Sequence, residues 1–123
     1  MLVVDDEEPI REILSRRLQQ WGHEVVAVAT ADAALDQMRI SPFPIVFCDL
    51  IMPVHDGVWL FKQILSQWPD TIVVAVSGAQ DEEVVVQVRR LGAVDFVPKP
   101  IGRETLHQAV ERAVAMLQAR PSA

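Results

Sequence analysis

Five side chains carry most of the chemistry this sequence could perform: Asp5, Asp6, Asp49, Ser77 and Lys99. Each follows or closes a short apolar run. Three carboxylates brought to one place repel each other unless a cation lies between them. An all-oxygen cluster suits a hard ion such as Mg²⁺, which keeps several waters and takes one or two carboxylates. A lysine ammonium and a serine hydroxyl beside such a cluster match the needs of phosphoryl transfer, which is mostly positioning and charge neutralisation. A carboxylate can also be the nucleophile and form an aspartyl phosphate.

For this chemistry to occur, the chain must bring the five residues together. Residues 2–4, 25–28, 45–48, 72–76 and 94–97 are short apolar runs of strand character. Between and after them lie helical patterns over 9–21, 31–39, 58–68, about 81–91 and about 103–118. In the first helix, Ile10, Ile13, Leu14, Leu18 and Trp21 form one stripe. Pro9 suits its first turn and Gly22 its end. Thr30 can cap the second helix, and Gly92 can end the fourth. Strict βα alternation implies an α/β fold, a parallel sheet covered by helices on both faces. Ligands of such open sheets sit at the carboxyl ends of the strands. The first strand ends in Asp5-Asp6, the third in Asp49 and the fourth in Ser77-Gly78, and Pro98-Lys99-Pro100 follows the fifth. Strand two ends in Ala29-Thr30 and is chemically quiet.

The chain of 123 residues argues for one domain, with 50% hydrophobic and 23% charged residues. A net charge of −6 argues against a grip on nucleic acid or an anionic membrane. One cysteine, Cys48, rules out an internal disulfide and suits a reducing, cytoplasmic setting. The apolar runs are far too short for a membrane span, and the N-terminus lacks the pattern of a signal peptide.

Val3-Val4-Asp5-Asp6-Glu7, Asp49-Leu50-Ile51-Met52-Pro53 with Asp56-Gly57, Ser77-Gly78 and the run from Gly92 to Pro100 resemble the receiver domain of bacterial two-component response regulators. The resemblance spans nearly the whole chain. It implies a single doubly wound (βα)5, flavodoxin-like domain over 2–118, strand order 2-1-3-4-5, with 119–123 as a tail or the start of a linker to an output domain. It implies that Asp49 is the phosphoacceptor, served by a sensor histidine kinase or phosphotransfer protein. Asp5, Asp6, Asp49 and the backbone carbonyl of Ile51 would hold Mg²⁺ or Mn²⁺. Lys99 and Ser77 would bind the phosphoryl group, Ser77 and Phe96 would switch, and the Lys99-Pro100 bond would be cis. The face made by helix four, strand five and helix five would carry the signal to an output domain or partner, in a monomer or a dimer strengthened by phosphorylation. Apart from self-phosphorylation and autodephosphorylation, no enzyme activity is implied. Ile51 and Ala79, two residues past Asp49 and Ser77, are both apolar and imply slow loss of the phosphoryl group.

Three other functions compete. An aspartate-nucleophile phosphohydrolase wants a second acid two residues after its nucleophile, where Asp49 is followed by Ile51. A flavodoxin-like cofactor binder wants hydroxyls or glycines in its first βα turn, where this chain has Asp5, Asp6, Glu7 and Glu8. A phosphorylation-independent interaction module would not need the full acid set. Of the remaining polar and aromatic residues, His55 reads as a solvent-facing loop residue, and His23 and His107 have no evident partner. Trp21, Trp59 and Trp68 read as caps on the core and Cys48 as a small apolar group. Of Val84, Val85, Val86 and Val88 in helix four, not all can face inward, and Val86 is the one expected to be exposed.

Overall fold

The computed structural model describes residues 1–78 and 82–120. It has five strands, β1 (Leu2–Val4), β2 (Val26–Val28), β3 (Ile45–Asp49), β4 (Ile72–Ser77) and β5 (Asp95–Pro98). Five helices alternate with them: α1 (Glu8–Gln20), α2 (Ala31–Ile40), α3 (Gly57–Gln67), α4 (Glu82–Leu91) and α5 (Arg103–Gln118). All pairings are parallel, in the order β2-β1-β3-β4-β5. The expected start of α4 at Asp81, and Ala79, lie outside the described residues.

Side chains alternate across the central strands and so divide the core by parity. Leu2, Val4, Val46, Cys48 and Val73 point to one face, where α2 and α3 bring Ala34, Leu35, Met38, Leu60, Phe61 and Ile64. Val3, Ile45, Phe47, Ile72, Val74 and Val76 point to the other, against Leu14 and Leu18 of α1 and Leu106, Ala109, Val110 and Ala113 of α5. A third cluster joins Leu50, Val58 and Ala75 to Val85 and Val88 of α4. Gly22 and Gly92, at φ 90° and 110°, follow α1 and α4 in the left-handed region where a side chain is unfavourable.

One expectation about an apolar stripe needs correction. The sequence places Ile13 on the inner stripe of α1, but it is 38% exposed, because the buried line runs through Leu14 and Leu18 and Ile13 is turned about 100° away from Leu14 on the helix. Leu65, on the apolar side of α3, is also exposed. Val86 is exposed at 48%, while Val85 and Val88 are buried, as the crowding of valines on α4 implies.

Candidate functional site

Register places the acids. Val3 pairs with Phe47 and Val4 with Cys48, so the next step sets Asp5 beside Asp49, both on the parity of Val3 and Phe47. Asp5 and Asp49 are buried, and Asp6 is exposed at the rim. One carboxylate oxygen from each of the three lies within 4.8 Å of the others. Lys99, arriving from the end of β5, puts its Nζ 3.2 Å from Asp5 Oδ2 and 3.4 Å from Asp49 Oδ2, with Glu7 farther out at 3.8 Å.

Backbone donors fix the remaining oxygens. The Glu7 N–H donates to Asp5 Oδ1 at 2.8 Å, and the Ile51 N–H donates to Asp49 Oδ1 at 3.2 Å. Arg11 of α1 donates to the Asp5 carbonyl at 2.8 Å and ties down the β1–α1 turn. The other two carboxylate oxygens, Asp5 Oδ2 and Asp49 Oδ2, are buried and receive no hydrogen bond of good geometry. Two buried carboxylates with oxygens left unsatisfied, together with the Asp6 carboxylate, offer the all-oxygen donor set a hard divalent cation takes. The residues therefore fit Mg²⁺ or Mn²⁺.

Electrostatics point the same way. Burial, then the charge of Asp5, raises the Asp49 carboxyl to about 7, against the opposing pull of Lys99 and the Ile51 N–H. Asp5 is also raised, mainly by burial. Burial alone would lower Lys99, but Asp49 and Asp5 outweigh it and raise it, so the ammonium stays charged. The site thus carries too much negative charge for its degree of burial, and only a cation or a proton relieves it. The Cys48 thiol, buried beside Asp49, is held far above the ordinary thiol range by burial and by the neighbouring carboxylates. It packs as an inert apolar group.

Ser77 ends β4, one residue past Val76, the register partner of Asp49. It is buried, and its hydroxyl donates to the Gly78 carbonyl at 3.2 Å. The Lys99 N–H donates to the Ser77 carbonyl at 2.8 Å, which joins two of the expected site residues through the backbone. The Lys99-Pro100 peptide is cis. Phe96 is half-buried against the α4 cluster of Val85 and Val88, with the Arg89 guanidinium 5.1 Å from its ring centroid. Ile51 lies exposed in the loop after β3.

Residues 1–111 match the family model of the response regulator receiver domain. Over 115 residues the chain is 32% identical to the transcriptional regulatory protein ZraR of Escherichia coli K12, covering 94% of this chain and 26% of ZraR. It is 34% identical to the C4-dicarboxylate transport transcriptional regulatory protein DctD of Rhizobium meliloti, covering 92% of this chain and 25% of DctD. Among solved structures, the receiver domain of NtrX from Brucella abortus superposes with a TM-score of 0.89 at 36% identity, over 93% of this chain and 97% of that one. An open parallel sheet with an acid cluster at its carboxyl edge defines the flavodoxin-like receiver class. The chain belongs to the response regulator receiver domain family of two-component systems. It spans about a quarter of the length of ZraR and DctD. No helix among the described residues is long and apolar enough to cross a membrane.

Sequence reasoning missed the surroundings of the site. Arg11, Glu7 and the histidine of the β3–α3 loop all have specific partners. His55 Nδ1 lies 3.2 Å from Asp32 Oδ2, and its ring stacks on Trp59 at 3.8 Å with an 11° interplanar angle. His55 keeps 40% of its side chain exposed, as a solvent-facing loop residue does, and what the sequence did not show is that it also meets α2 and α3. His107 also has partners, Glu111 at 3.0 Å and Trp21 at 4.7 Å between ring centroids.

Proposed function

We propose that this domain is a phosphorylation switch in which Asp49 takes a phosphoryl group from the phosphohistidine of a sensor kinase or phosphotransfer protein. The observation that carries this reading is the convergence of Asp5, Asp6 and Asp49 within 4.8 Å, with Lys99 3.4 Å from Asp49. An Asp49 oxygen attacks phosphorus, the N–P bond breaks, and the donor imidazole leaves with the electron pair. Asp5, Asp6, Asp49 and the Ile51 carbonyl would hold Mg²⁺ or Mn²⁺, whose charge would neutralise the transferring oxygens. Lys99 supplies a second positive charge there. Asp49 must be ionised to attack, and the nearby ammonium favours that state.

Downstream, Ser77 turns its hydroxyl from Gly78 toward the new phosphoryl oxygens, and Phe96 moves inward. The changed surface is the one formed by α4, β5 and α5, where Val85, Val86, Arg89, Phe96 and Pro98 line a groove of about 460 Å³. An output domain or partner outside this chain, or a second copy, would read it. The domain proper covers 2–118 in this reading, and 119–123 is a tail or the beginning of a linker. It works in the cytoplasm, without direct contact to nucleic acid or membrane, and has no turnover beyond its own phosphorylation and dephosphorylation.

Intact-mass spectrometry after incubation with acetyl phosphate, with and without Mg²⁺, tests this. Wild type is expected to gain one phosphoryl group only with Mg²⁺, and Asp49→Asn none. A wild type that stays unlabelled while another receiver labels would leave a phosphorylation-independent module.

A further inference from the structure

The loop from Asp49 to Asp56 is held at its far end by an arrangement the switch reading does not use. Within this loop Val54, a β-branched residue, sits at φ 67° and is 93% exposed. That backbone conformation is unfavourable for valine, and a side chain so exposed gains little packing to offset it. The next residue, His55, is pinned on two sides. Its Nδ1 meets both carboxylate oxygens of Asp32, at 3.3 and 3.2 Å, in the first turn of α2. Its ring lies flat on Trp59 of α3. Asp56 then caps α3 by accepting from the Trp59 N–H at 2.9 Å.

We infer that His55 is a positioning residue for the phosphoacceptor loop, a clamp that ties the loop to α2 and α3 so that the strained turn at Val54 is kept and the Asp49–Ile51 segment stays in its site geometry. The inference rests on the reading of Asp49 and Ile51 as part of a divalent-cation site. His55 has Asp32 and Trp59 as its partners, not the acid trio. It acts only by restricting the segment that carries Ile51, whose N–H orients Asp49 Oδ1. Loosening the clamp lets the strained turn relax, and the Ile51 backbone moves with it.

Calorimetric titration with MgCl₂ measures the effect in the whole chain, comparing wild type with His55→Ala, His55→Phe and Asp32→Asn. The Phe variant keeps an aromatic stack and loses only the polar contact with Asp32. Expected losses of Mg²⁺ affinity are about three- to tenfold for His55→Ala, below the range for partners that touch metal ligands directly, and smaller for the other two. A general structural role would not predict rescue, and the clamp does. Adding Val54→Asn, which tolerates the left-handed turn, to His55→Ala is expected to restore most of the affinity. Unchanged affinity in folded His55→Ala and Asp32→Asn, or no rescue by Val54→Asn, would overturn the clamp while leaving the cation site standing. No Mg²⁺ binding by wild type would instead overturn the site reading, and the clamp with it.

Discussion

A Cβ on Gly57 would lie 2.2 Å from the carbonyl oxygen of Asp49 and 2.5 Å from the Leu50 Cα. The first residue of α3 therefore packs directly on the backbone at the end of β3, and its N–H donates to the Leu50 carbonyl at 3.0 Å. The obstructing atoms are backbone and cannot turn aside. Gly57→Ala must push α3 or the Asp49–Leu50 segment away. It is expected to destabilise the fold by about 1–3 kcal/mol in urea titration and to weaken Mg²⁺ binding. A wild-type urea midpoint would show that the contact is not tight.

Metal-free stability should fall as pH rises from about 4 toward neutrality. Asp49 is raised to about 7 in the folded chain, against about 4 when unfolded. Between those values the folded state holds a proton that the unfolded state has released, so the slope of stability with pH is negative there. The cost is fully present above 7 and vanishes below about 4, and its size is on the order of 4 kcal/mol at about 1.4 kcal/mol per pH unit. Asp5, raised in the same direction, adds to it. Saturating Mg²⁺ favours the ionised acids and should flatten or reverse the slope. Urea midpoints at mildly acidic and mildly alkaline pH, with and without Mg²⁺, check this, and a metal-free slope of the opposite sign would contradict it.

The same electrostatics make Asp49→Asn stabilising. The substitution removes a buried negative charge that faces Asp5 and keeps the shape of the side chain. Metal-free Asp49→Asn is expected to be more stable than wild type by about 1–2 kcal/mol near neutral pH, while accepting no phosphoryl group. Lys99→Ala should act in the opposite direction, because it leaves Asp5 and Asp49 without the ammonium now 3.2 and 3.4 Å away. Thermal unfolding of both variants without metal decides the ordering.

The site was legible in the sequence because its members stand at strand ends, and a parallel sheet sends all strand ends to one edge. Once β1 and β3 are neighbours, Asp5 and Asp49 must be too. The clamp was not legible, since Asp32 and His55 are 23 residues apart and meet only because the β3–α3 loop reaches the start of α2. Arg11 also gives no sequence signal that it reaches the Asp5 carbonyl. Ile13 shows the limit of periodicity. An apolar residue at the margin of a stripe is buried only if a neighbouring element covers it, and that depends on helix rotation.

The α4–β5 surface provides a prediction about assembly. Val86 is 48% exposed beside a groove shared with Phe96 and Arg89. One exposed valine is ordinary for a monomer, so the unphosphorylated chain is expected to be monomeric. If phosphorylation draws Phe96 inward, Arg89 loses the ring now 5.1 Å from its guanidinium, and the groove changes in both shape and charge. A second copy could then seat Val86 in it. Sedimentation with Mg²⁺ and beryllofluoride, a phosphoryl mimic, should show dimerisation strengthened about tenfold or more over the free chain, and Val86→Asp should abolish the gain by placing a charge in an apolar contact. An equally strong dimer in both states would disconnect this surface from Asp49, and a mimic-dependent dimer insensitive to Val86→Asp would move the interface elsewhere on the domain.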